Sequence, residues 1–523
     1  MKRHWESDSY LPFKLPDHDL GFLIGAKPTG CSREELIKRC QSRATRSPGR
    51  CAIPVRMRAN NGEADSRALA RVIAIENEDV HSCNGPVPRT HLRSPLFMSE
   101  LNNLSPPASA APEPERGNRD AGKRESPTPQ VISRWIRFAD FHHEPFRIFF
   151  PVAVLAGLIG VALWPVMLLR WTEIYPGPSH ARLMVQGFFA GFIFGFLGTS
   201  MPRLVAARPL SAPEAFSLLS LFLGNVVANT VGMNALADGI FVGEILLLFV
   251  MLRNRCHHGM DRPPPSFVLV GLSFACAFVG TAIHLAGRRW ELSQPLELFA
   301  RLVSYHGFVL LCILGAGGFL LPRFLGLGVR RKYADSAVAS PEWKRTAGVA
   351  AGTGVLIVVT FVLEALGWNR IAGTARAVVI IAYLAYEMPL EQLRWSWRGV
   401  QWQLIVGLVC IPLGVLAAGW FFSARLTWLH LELVGGFALI TTGVATRVVF
   451  GHSGGRDKVE RFHPWLTAAA VLMLAGLASR ITGDFLPRIQ TTHYFYGAAC
   501  WMAGAIVWAI CVLPRVLRPD PEG

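Results

Sequence analysis

Residues 427–455 read TWLHLELVGGFALITTGVATRVVFGHSGG, an apolar run with a histidine near each end, followed by Arg456. At 1.5 Å per helical residue, His430 and His452 stand roughly 33 Å apart, about one bilayer thickness. Between them lie Glu432 and Arg447, both costly in hydrocarbon unless paired or wet. One stretch therefore predicts a membrane-crossing helix with coordinating or ionisable groups at both faces.

The rest of the chain repeats this material. Apolar stretches of about 18 residues or more recur from Phe149 onward, which predicts an all-α, polytopic membrane protein. The alternating ten-residue segments of a membrane β-barrel are absent. Only 17% of the 523 residues are charged and 51% are hydrophobic, against about a quarter charged in an ordinary soluble domain. The net charge of +16 needs no nucleic-acid partner, because Lys and Arg accumulate in the cytoplasmic loops of such proteins.

Twelve spans are expected, at about 148–169, 181–201, 213–233, 236–252, 266–286, 299–321, 347–367, 371–389, 404–420, then the 427–455 helix, 464–483 and 493–514. The boundaries between the third and fourth and between the seventh and eighth are weakly marked. Arg203 and Arg208, Arg253, Arg255 and Arg262, Arg323 to Lys332, Arg394 and Arg398, and Arg456 to Arg461 gather in alternate loops. That bias puts both termini in the cytoplasm.

Residues 1–135 form a separate region, polar and proline-rich, with PPASAAPEPERGNRD at 106–120. They read as a disordered extension preceding a transmembrane domain over 136–523. Translation from Met98 is a second reading of that region. The ten cysteines contain no C-x-x-C pair, and no P-loop or Rossmann fingerprint occurs, so zinc-ribbon, ATP and NAD chemistry are not expected.

With this topology His180 opens the second span, His306 lies in the first turns of the sixth, His430 opens the tenth, His493 opens the twelfth and His284 closes the fifth. All five fall on the non-cytoplasmic side, and His452 falls on the other. Imidazole is a common ligand of haem iron and copper, and facing helices in a bundle can supply a pair. Glu244, Glu387, Glu432 and Arg447 mark a proton or ion path through the spans. No repeat relates the two halves of the chain.

Several motifs resemble the NnrS family. They are His430 through Gly435, Gly443, Thr446-Arg447 and Gly451-His452-Ser453-Gly454; Pro145-Phe146-Arg147-Ile148-Phe149-Phe150; His180-Ala181 with Met184 and Gly187-Phe188; Gly317-Gly318 with Pro322-Arg323-Phe324; and the tail from Leu513 to Asp520. The resemblance covers about 145–523. It implies a twelve-helix inner-membrane protein that binds haem and copper and acts in the nitric oxide response. His180 and His430 then become the expected axial pair, with His306 as a third cofactor ligand and His452 and His284 as further metal ligands. The chain departs from the family at Arg182, where a histidine is usual, at Leu183, where a glutamate is usual, and at Phe319, where an arginine is usual. A proton-coupled transporter and a quinone-linked oxidoreductase are the alternative readings.

Overall fold

The computed structural model describes residues 138–519, apart from 329, 332–335 and 456–459. The expected disordered extension, the Met98 start and Arg456 lie outside the described residues. Those residues form an all-helical protein. Ten helices are long and apolar enough to cross a membrane: α1 (Phe146–Leu168), α2 (Gly177–Leu204), α4 (Asn234–His258), α5 (Pro265–Ala286), α6 (Gln294–Phe324), α7 (Pro341–Ala365), α9 (Gln401–Trp420), α10 (Phe422–Gly451), α11 (Pro464–Phe485) and α12 (Pro487–Leu517).

Two further helices, α3 (Ala212–Thr230) and α8 (Asn369–Glu387), stand where the third and eighth spans were expected. They fall short of that apolarity, so the expected count of twelve spans is reached only as helices. The reason is local. Asn225 and Asn229 in α3 and Arg376 in α8 lower the mean hydropathy, yet all three are buried and hydrogen-bonded. A hydropathy window counts them as polar, whereas the bundle pairs them inside.

The chain repeats in thirds, not in halves. In each third the first helix packs on the second, and the third and fourth form a hairpin: α1–α4, α5–α8 and α9–α12. Contacts of α4 with α5, α8 with α9 and α12 with α1 close the three units into a ring. Comparing halves sets α1 against α7, out of register, which hides this pattern.

The turns repeat as well. After α3, Gly232 has φ +79° and its N–H donates to the Asn229 carbonyl, while Met233 N–H donates to that of Ala228. After α7, Gly367 at φ +93° and Trp368 make the same two bonds to Glu364 and Leu363. This doubly bonded stop needs a left-handed residue, and glycine takes that conformation at little steric cost. The ends of α2 and α6 match in the same way, through Pro202-Arg203 and Pro322-Arg323.

The second helix of each unit is among its most buried, with α9 equal to α10 at 67% in the third unit. The apolar windows of α2, α6 and α10 are 83%, 72% and 67% buried, against 33% to 44% for α4, α7, α11 and α12. Phe189 of α2 meets Phe437 of α10 edge-on with ring centroids 6.0 Å apart. His180, His306 and His430 all ride on this inner triad.

Candidate functional site at the histidine rim

Each inner helix departs from α geometry beside its histidine. Segments of π-helix run Leu183–Phe189 in α2, Leu302–Gly307 in α6 and Leu431–Ala438 in α10. His180 lies three residues before the first, His306 within the second and His430 immediately before the third. Such widened turns concentrate at functional sites.

His180 and His430 are half-buried and share one hydrogen-bonding pattern. Nδ1 of His180 lies 2.9 Å from the Gly160 carbonyl oxygen of α1, and Nδ1 of His430 lies 2.7 Å from that of Leu426. A carbonyl only accepts, so each Nδ1 carries the proton and each Nε2 keeps its lone pair. Gly160 makes the first contact attainable. A Cβ there would stand 2.9 Å from Leu183 Cβ, so a side chain would push α1 off α2. The edge of Trp164 also braces the His180 ring, with centroids 6.0 Å apart.

The two imidazoles lie within electrostatic reach of each other, and Arg480 of α11 acts on both. Arg480 Nη1 donates to Asp484 Oδ1 at 2.5 Å, and its guanidinium lies 4.1 Å from the Tyr494 ring centre. Asp484 also accepts from Thr427 in α10 and from Tyr494 in α12. The third unit thus holds a fixed cation beside the histidine pair.

On another side of α10 lies a second pair. Glu432 follows His430 by two residues, about 200° around a helix, and faces α6. Its Oε2 stands 3.0 Å from His306 Nδ1, with the residues 1% and 8% exposed. A carboxylate on one ring nitrogen orients an imidazole and leaves the other nitrogen for further chemistry. Glu432 Oε1 has no hydrogen-bond partner.

The remaining expected residues are placed elsewhere. His284 Nε2 sits 3.2 Å from Ser304 Oγ, whose own proton goes to the Ala300 carbonyl, and its ring lies beside Tyr305. His452 lies at the far end of the α10 helix from His430, with Nδ1 2.7 Å from Glu144 Oε1. That cluster also contains Arg203 and Arg147, and Arg147 donates to the carbonyls of Val516 and Arg518. Burial pushes the Glu144 carboxyl up, but the hydrogen bond and charge of His452 and the charges of Arg147 and Arg203 outweigh it. The carboxyl is held down at about 2. Arg447 donates to the Phe324 carbonyl at the end of α6, 3.0 Å away, and pairs with Glu460. It therefore joins α10 to α6 at the His452 end. Glu387 stands near Gly318 of α6, and its Oε1 is unpartnered.

Asp238 was not singled out from the sequence, and it explains the Arg182 departure. It is fully buried and grips Arg182 at two points, Nε to Oδ1 at 2.9 Å and Nη2 to Oδ2 at 2.8 Å. Gln186 donates to the same carboxylate at 2.8 Å. The position of the family's second histidine is thus occupied by a neutralised ion pair. Phe319 is likewise absorbed, since the Arg323 guanidinium lies 3.8 Å from its ring centre.

Among the described residues no three His, Cys, Asp or Glu side chains cluster closely enough to hold a metal ion. The NnrS family model, described as NnrS protein, matches residues 140–519. No curated protein matches the chain. The matched span takes in all three units of the ring and every histidine discussed above, and the chain belongs to the NnrS family.

Proposed function

We propose that this NnrS-family membrane protein binds a haem between His180 and His430 and takes part in the bacterial response to nitric oxide. One observation carries the cofactor reading. Both imidazoles are fixed by an Nδ1 bond to a backbone carbonyl, which leaves the Nε2 lone pair of each open. Two oriented imidazoles are what axial ligation of an iron porphyrin needs. The donor chemistry, two imidazoles each with one nitrogen held and the other open, suits haem. Copper fits less well, because no preformed group of three donors exists among the described residues. His306 with its Glu432 partner is the remaining imidazole oriented for a metal or a proton, and no copper chemistry is derived from it.

The chain's own contribution is orientation and electrostatics. The Gly160 and Leu426 carbonyls set the tautomers, Trp164 limits rotation of His180, and Arg480 supplies a positive charge suited to an acidic substituent of the ligand. A bound haem would supply an iron able to carry an electron and to bind a diatomic gas. His180 and His430 would be the residues that hold the haem. Nitric oxide partitions into lipid, and family membership supports it as the ligand. Alternating basic loops favour a bacterial inner-membrane placement with both termini cytoplasmic and the His180–His430 rim outside.

The test is pigment and metal content of the purified protein. The expected result is a Soret band that His180→Ala and His430→Ala each remove and His452→Gln leaves. A colourless wild-type preparation from haem-replete cells would overturn the reading.

A further inference from the structure

Glu244 of α4 has no place in the haem reading. Its side chain is completely buried, and neither carboxyl oxygen has a hydrogen-bond partner. No charged group among the described residues acts on it. It lies ten residues into α4, about 15 Å along the axis and so near the middle of the hydrocarbon core. Charge left unpaired there is costly, and a bound proton removes it.

Asp238, also fully buried, lies six residues earlier on α4, about 9 Å nearer the histidine rim and about 120° around the helix. Around Asp238 runs a continuous polar network. Arg182 and Gln186 of α2 donate to it, and Asn225 and Asn229 of α3 each direct an amide to Gln186 Oε1 at 3.3 Å. Ser179 Oγ donates to Asn234 Oδ1 at 3.2 Å where α4 begins, a separate polar pair on the rim side of that network. Within it, Asn229 is fully buried and its Oδ1 has no partner. An open acceptor in a buried polar network is a place for water. Water bound there would be the link from the network toward Glu244, about 9 Å further along α4.

We propose that Glu244 is a mid-membrane proton site, filled from the histidine-rim side past the Ser179–Asn234 pair and along the Arg182–Asp238, Gln186 and Asn225–Asn229 network. The step is acid–base only: a proton from the aqueous phase binds a Glu244 carboxylate oxygen to give the neutral acid, and no electron moves. Within the network Arg182 and Asp238 neutralise each other, so the path presents polar groups without a net charge to repel or trap the proton. The proposal does not rest on haem being bound.

Infrared spectroscopy of the full-length protein in nanodiscs tests it. A protonated-carboxyl C=O band should be present, be lost in Glu244→Gln and be displaced in Glu244→Asp. Transfer of wild-type protein to D2O should shift that band, which needs no variant to fold. A paired Gln186→Leu, Asn225→Leu change should leave the band and slow its deuterium shift by about tenfold or more, a barrier increase of about 1.4 kcal/mol. Absence of the band, a wild-type band that never shifts in D2O, or an unchanged exchange rate in the folded paired variant would each overturn the proposal.

Discussion

Replacing Asp238 with alanine removes the sole anion of the Arg182–Asp238 ion pair and leaves the Arg182 guanidinium, 7% exposed, inside an apolar bundle. Breaking a buried pair from one side costs about 3–5 kcal/mol, because the surviving charge keeps its desolvation penalty. Gln186 also loses the acceptor of its 2.8 Å bond, for about 1–3 kcal/mol if it finds no other. Arg182→Leu combined with Asp238→Leu removes both charges, so only the Gln186 loss and some repacking remain. The double variant is therefore expected to be more stable than Asp238→Ala by about 2 kcal/mol. Unfolding of detergent-solubilised protein by titrated SDS, followed by tryptophan fluorescence, measures the series. A single variant within about 0.5 kcal/mol of wild type, the usual range for inconsequential surface changes, would mean that the buried guanidinium costs little without its partner. So would a double variant less stable than the single one.

Other consequences follow from the same structure. Glu144, held at about 2 against an ordinary 4.5, contributes stability that is present above pH 4.5 and lost as pH falls from there through 2. The contribution is about 3 kcal/mol, and an acid-unfolding profile of Glu144→Gln should be flatter over that window. Gly414→Val should destabilise by about 1–3 kcal/mol, since even a Cβ there meets Glu432 N at 2.6 Å; thermal unfolding checks it. Glu432→Ala should free the His306 ring, giving imidazole NMR signals with a changed Nδ1 environment while the Soret band persists. Glu364→Gln weakens the joint between α7, α8 and the start of α10, where Arg376 and Arg425 share that carboxylate at 2.6 Å and 2.5 Å. It should cost about 3 kcal/mol, read in the same SDS titration.

Much of this was legible in the residues. Every expected span has a helix, because long apolar runs in a low-charge chain leave the backbone few alternatives to internal hydrogen bonding. The inner triad was legible only as three separate histidines. Their shared place beside the π-helical segment of the second helix in each unit emerges once the chain is divided in three. The π-helical turns left no mark, since local propensity does not distinguish a widened turn from an α turn. Arg182 looked like a lost metal ligand from sequence alone. Its meaning required Asp238, 56 residues away and indistinguishable in the sequence from a polar residue opening α4. Glu364 is buried between Arg376 and Arg425, a pairing across three helices that no local pattern announces. His452, set about one bilayer thickness from His430 by helix length alone, is committed by the geometry to the Glu144 cluster.

His180 and His430 are proposed to hold one haem iron together. Resonance Raman and electron paramagnetic resonance spectra of the purified oxidised protein test it most directly. The account predicts a six-coordinate, low-spin iron with two imidazoles, retained in His306→Gln and His452→Gln and lost in both His180→Gln and His430→Gln. A haem signal that survives loss of His180 and of His430, or an iron with a single imidazole in the wild type, would contradict it.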